Sequence, residues 1–204
     1  MIPLLCPAYL PNIYYFNWLL QQEVVYFSGE TFYQKQTYRN RSLLYGANGI
    51  LRLTIPIKHN HNGIKPKDKE VAIAYDMNWQ LQHWKSLCSA YRSSPYFEFY
   101  EADLYPFFKE KTPFLFEYNL KLIVKLMELL EHPLKFERVE TRSEKNHRPM
   151  EALLLAKTSI PYSPEPYTQV FSDKFGFLPN LSLLDALFNL GPNCANYILN
   201  ARGI

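Results

Sequence analysis

The sequence predicts an α/β domain in which a mixed, partly parallel sheet is flanked by helices and closed by a C-terminal helix. Three observations carry this. The chain opens in strand, helix, strand order, an Asn-Gly pair then joins two apolar runs, and several helical periodicities follow. At 204 residues, with 48% hydrophobic and 16% aromatic residues, the chain reads as a single domain over 1–204 with a sizeable core.

Leu4 to Ala8 is a short apolar run ended by Pro11, Ile13 to about Gln21 has helical character, and EVVYFS at 23–28 is β-rich. RSLLYG and ILRLTIPI, separated by a turn at Ala47 to Gly49, read as a hairpin. Residues 58–69 (KHNHNGIKPKDK) are polar and basic and read as a mobile loop, and Val71 to Ala74 as a further short strand. From Asn78 to about Lys111 two helices are expected, interrupted at Ser93 to Pro95. Phe114 to Glu131 carries Glu117, Lys121, Lys125 and Glu128 as a charged stripe, so it is an amphipathic helix and not a membrane span. LKFERVE alternates as a strand, residues 141–166 read as an internal linker, and Asn180 is placed to cap a closing helix that ends at Gly191-Pro192.

Charge and cysteine usage narrow the class. The net charge is only +3, yet residues 31–67 hold seven Lys or Arg and no acid, which predicts one basic surface. Cys6, Cys88 and Cys194 lie far apart and form no CxxC pair, so neither a disulfide framework nor a zinc site is indicated. The N-terminus lacks a basic n-region and its apolar run is broken by prolines 3, 7 and 11, so a cytoplasmic protein is expected. No GxGxxG, Walker loop, GxSxG or HExxH occurs, and no cofactor is expected.

The stretch YQKQTYRNR (33–41) concentrates three cations, three carboxamides and two tyrosines without an acid. Arg and Lys hold phosphate, carboxamides read hydroxyls and Tyr stacks on rings, so the mixture suits a nucleotide-sugar or another polyhydroxylated anion. It suits single-stranded nucleic acid nearly as well. The competing reading is a solvated turn, which spacing alone favours. His83 is the best-placed histidine for acid or base work, although its spacing from Cys88 does not aim both at one point. His59 and His61 alternate without a third ligand, so no metal site is expected. In the closing helix Ser182, Asp185 and Asn189 share a polar face.

Taken in order, AYLPNIYYF, KQTYRNR followed by LRLTIPI, HWKSL with SSPYFEFY, and FGFLPNLSLLDALFNLGP resemble the WbqC-like family over nearly the whole chain. The resemblance implies an association with bacterial surface polysaccharide of the O-antigen type, and a group-transfer role on an amino sugar. Many members open with His-Gln-Pro-x-Tyr-Leu-Pro; Leu5 and Cys6 stand here at the His and Gln positions, while Pro7, Tyr9, Leu10 and Pro11 match. A catalytic role depending on that His cannot operate in this chain. Arg39, Asn40 and Arg41 match, as do Pro179 to Ser182, Asp185, Asn189 and Gly191, whereas a glycine-rich segment of longer relatives is missing.

The resulting expectation is a group transferase acting on a nucleotide-activated or lipid-linked sugar. Arg39 and Arg41 would hold phosphate, with Gln36, Tyr38, Asn40, Asn180, Ser182 and Asn189 around the sugar and His83 or Asp185 as base. The second reading is a noncatalytic protein that binds an acidic glycan intermediate or a partner enzyme of glycan assembly. Single-stranded nucleic acid ranks third.

Overall fold

The computed structural model describes residues 2–58, 65–140, 147–156 and 164–201. Four strands form one parallel sheet in the order β5 (Phe136–Arg138), β2 (Val25–Phe27), β1 (Ile2–Leu5) and β6 (His147–Pro149). A separate antiparallel hairpin joins β3 (Arg41–Gly46) to β4 (Gly49–Thr54). The α/β class with flanking helices and a C-terminal helix therefore holds, with the parallel and antiparallel strands in two sheets rather than one.

Helix α1 (Ile13–Leu20) crosses from β1 to β2 and is buried nearly all round, as its apolar sequence IYYFNWLL requires. Its one interior amide, Asn17, donates to the carbonyls of Ile198 and Ala201 and so docks α7 (Cys194–Asn200). Helices α2 (Trp79–Tyr91) and α3 (Phe97–Leu104) fall where two helices were expected. Helix α4 (Leu115–Leu129) buries Leu115, Tyr118, Leu122, Ile123 and Leu126 along one stripe and leaves Lys121 in solvent. A short α5 (Ser172–Phe175) and α6 (Leu183–Leu190) precede α7.

Four local expectations change. Val71 to Ala74 makes only isolated bridges, Ala72 to Phe114 and Ile73 to Ile57. The basic loop is pinned beyond residue 64: Tyr33 N donates to Pro66 O, and Asp68–Glu70 forms a 3₁₀ turn with Asp68 buried. His59 and His61 lie outside the described residues. The stretch read as a linker supplies the edge strand β6 and a 3₁₀ turn at Glu151–Leu154. In the hairpin Gly46 pairs with Gly49, which adopts φ 96, so the glycine of the Asn-Gly pair opens β4 instead of sitting at the tip.

The two helix starts α1 and α6 are tied together. Asn12 and Ser182 form an antiparallel bridge, Ile13 N donates to Leu181 O and Leu183 N to Pro11 O. Each helix has its own cap, Asn12 accepting from Tyr15 N and Ser182 from Leu184 N. Asn180, expected to cap the closing helix, has φ 57 and instead accepts the Tyr14 N–H of α1 at 3.0 Å. The hairpin joins this knot, since Ser182 N donates to Leu43 O and Ser42 Oγ to Leu10 O.

Candidate functional site

The segment entering β3 is held by backbone on both sides: Tyr38 N donates to Leu154 O while Tyr38 O accepts from Tyr9 N. Gln36 at φ 63 makes the preceding turn, and Thr37 Oγ1 donates to Gln34 O. Beyond it the pleat sorts side chains. Leu43 pairs with Arg52 and Arg41 with Thr54, so these four share one face of the hairpin, while Ser42, Leu44 and Leu53 are buried on the other.

Above the first face lies a pocket of about 270 Å³ lined by Gln36, Tyr38, Arg41, Leu43, Arg52 and Ala156. It contains two guanidinium groups and no acid. Neither Arg41 nor Arg52 forms an ion pair among the described residues, and Arg41 Nε is buried without a hydrogen-bond partner. Burial raises the Tyr38 phenol above its ordinary range, against the opposing pull of Asn12 and of the Arg52 charge. A cation pair with no counter-ion and an orphaned donor among the described residues meets the condition for attracting an anion.

Of the expected binding residues, Gln36, Tyr38 and Arg41 therefore come together. Arg39 points elsewhere: it is 1% exposed, its Nε donates to Asp68 Oδ1 at 2.8 Å, and its Nη2 contacts both Glu151 oxygens at 2.9 and 3.0 Å. Asn40 is buried and exchanges bonds with Ile55, its Nδ2 donating to Ile55 O and its carbonyl accepting from Ile55 N. Asn180 and Ser182 sit in the paired helix starts. Asn189 Nδ2 donates to Asp185 O within α6.

His83 and Asp185 do not line the pocket. His83 Nδ1 meets the Tyr9 hydroxyl at 2.8 Å, and its ring packs against Tyr9 and Trp79. Burial lowers its pKa to about 4. Asp185 is closed to solvent and accepts from Tyr167 Oη at 2.5 Å and Gln169 Nε2 at 2.7 Å; burial raises its pKa against those bonds. The expected polar face of α6 is thus an internal network that holds the 167–178 segment, since Gln169 also bonds both backbone groups of Leu178.

Arg52 was not among the expected site residues. The signal was available: in a hairpin turning at Ala47-Asn48, residues summing to 95 face each other, which pairs Arg52 with Leu43 and sets it diagonal to Arg41. No group of three or more His, Cys, Asp or Glu among the described residues is arranged to hold a metal. No described helix is long and apolar enough to cross a membrane.

Fold and pocket together define an α/β protein with a compact cationic site built on a hairpin. Its lineage follows from comparison. The model of the WbqC-like protein family matches residues 6–159, well over half of the chain, and the protein belongs to that family. The match begins at Cys6 and ends before the closing FGFLPN motif. No curated protein and no solved structure matches the chain.

Proposed function

We propose that this protein binds a phosphorylated sugar intermediate of bacterial surface polysaccharide assembly, with the phosphate held between Arg41 and Arg52. The observation that carries this reading is a pocket whose described lining has no acid and whose two guanidinium groups form no ion pair among the described residues. Tyr38 offers a ring and hydroxyl, and Gln36 an amide, for the sugar beside the phosphate. At about 270 Å³ the pocket lies just below the size of drug-sized ligand sites, roughly 300–1,000 Å³. A phosphate with its adjoining sugar ring fits that scale, and a nucleoside or lipid would extend outside.

Binding is supported more directly than group transfer. General acid–base assistance comes from a group within hydrogen-bond reach of the reacting atoms, whereas the expected bases His83 and Asp185 are packed into other parts of the core. Transfer on an amino sugar remains what the family resemblance implies, and under this reading its base would come from the substrate or a partner enzyme. A thermal-shift and titration screen of sugar 1-phosphates and sugar nucleotides tests the proposal. A stabilising ligand should emerge, with affinity reduced at least tenfold in Arg41→Ala and in Arg52→Ala. A ligand bound equally well by both variants, or no ligand at all, removes the reading.

A further inference from the structure

The carboxyl ends of the parallel strands hold a second polar cluster outside the hairpin pocket. From β1 the chain passes to β2 on one side, whereas β6 joins on the other, so the β1–β6 crevice is the point where connections diverge and where α/β sheets place ligands. Cys6 follows β1, Ser28 follows β2 and Glu151 follows β6; these three and Thr31 surround a cavity of about 10 Å³, room for one water at most. Beside it lies the Arg39 ion cluster, linked through Glu151 and through Thr31, which donates to Asp68.

Arg39 is incompletely satisfied in a specific way. Asp68, itself 3% exposed, takes Nε. Glu151 sets both its oxygens on Nη2 alone, and Nη1 is buried with no partner. A carboxylate placed for fork geometry would engage two guanidinium nitrogens at once, so Glu151 is a poor match to this fork. Its side chain is also 30% exposed, so it reaches solvent by rotation alone, without disturbing the 3₁₀ turn that carries it. Asp68 is the buried counter-ion and Glu151 the more exposed one.

We propose that this corner is a ligand site for a phosphate monoester, which binds the Arg39 fork through Nη1 and Nη2 when Glu151 turns out. The three non-ester oxygens of such a group cover both nitrogens and leave one oxygen for the Ser28 hydroxyl, which accepts the Glu30 N–H and keeps its own proton to donate. Cys6 completes the wall as a neutral thiol, its ionisation suppressed by burial and by Asp68. The exchange keeps Arg39 paired with an anion, and the ester, at about −1.5 to −2 near pH 7, brings more negative charge to the guanidinium than the single charge of Glu151.

The test uses full-length protein carrying Arg41→Ala and Arg52→Ala, so that the hairpin pocket contributes nothing. Inorganic phosphate and a sugar 1-phosphate are titrated calorimetrically with Glu151 present and with Glu151→Ala. Both should bind at least tenfold more tightly once Glu151 is gone, and adding Arg39→Lys should abolish the gain. If Arg39→Lys does not fold, the Arg39 guanidinium nitrogen resonances of the Glu151→Ala protein decide: a shift on adding phosphate supports the site and unmoved signals overturn it. No gain in Glu151→Ala also overturns it, and a gain for inorganic phosphate alone overturns the ester assignment. The two readings fail separately, because phosphate binding unaffected by Arg41→Ala and Arg52→Ala removes the hairpin pocket and leaves the Arg39 corner standing.

Discussion

Arg39 and Arg41 lie two positions apart and meet different physics. Arg41 faces a pocket without acids, while Arg39 is enclosed with Asp68 and Glu151, whose attraction opposes the penalty that burial places on its charge. Removing one partner of a buried pair strands the other, at a cost of about 3–5 kcal/mol. Asp68→Ala should therefore lower stability by that order, and Glu151→Ala by clearly less because water can replace the 30% exposed Glu151; urea unfolding at neutral pH compares them. The sequence reads this stretch as a charge run, and charge runs are usually solvated; the carboxylates that bury Arg39 lie 29 and 112 positions away, so local sequence holds no sign of them. His83 gives a second test. Its pKa falls by burial from 6.5 to about 4, so the unfolded chain binds the extra proton between those values. The stability tied to neutral His83 is complete above pH 6.5 and is lost as pH falls toward 4, a loss of about 3 kcal/mol. Asp185, with its pKa raised by burial, acts in the opposite direction, favouring the folded state at low pH and losing that contribution as pH rises. The His83 contribution is thus read as a difference: urea-derived stability of His83→Gln should fall less steeply between pH 6.5 and 4 than that of the wild type.

Among the elements, the junction of α1 and α6 shows how far local signals reach. Periodicity predicts both helices, and α1, α2, α3 and α4 lie where their spacing puts them. What spacing cannot convey is that Asn180 caps the helix 166 positions earlier, because a cap is recognised in sequence only by the run that follows it. Strand β6 escapes for a related reason: His-Arg-Pro has no strand propensity, and its place comes from pairing with Ile2, Pro3 and Leu4 at the far end of the chain. Asn180 serves two purposes, a left-handed backbone at φ 57 and an acceptor for Tyr14 N–H. The two can be separated. Asn180→Gly keeps the backbone conformation and loses the acceptor, for a cost of about 1 kcal/mol. Asn180→Ala loses both and should unfold at distinctly lower denaturant; equal midpoints for the two variants would mean that the backbone angle carries no strain.

Across the whole molecule the charge is small but segregated, and the hairpin pocket is lined by the acid-free stretch 31–67 together with Ala156. That stretch is legible from composition; which of its cations converge depends on the hairpin register and on Arg39 turning inward. Segregation has a thermodynamic signature. Arg41 and Arg52 are diagonal neighbours across the ladder, at a backbone separation of roughly 7–8 Å, with no described acid between them. In the absence of a bound anion their repulsion works against the folded state, so the residues proposed to hold phosphate are ones the fold is better without. Arg52→Ala should therefore melt about 1–3 °C higher than the wild type at low ionic strength. The difference should shrink as salt screens the pair over a Debye length of about 10 Å at 0.1 M. Inorganic phosphate should reverse the order, raising the melting temperature of the wild type by more than that of Arg52→Ala. A variant that melts lower than the wild type at every salt concentration would mean that Arg52 holds the hairpin in place, and the pocket would then be a structural contact instead of a site waiting for its anion.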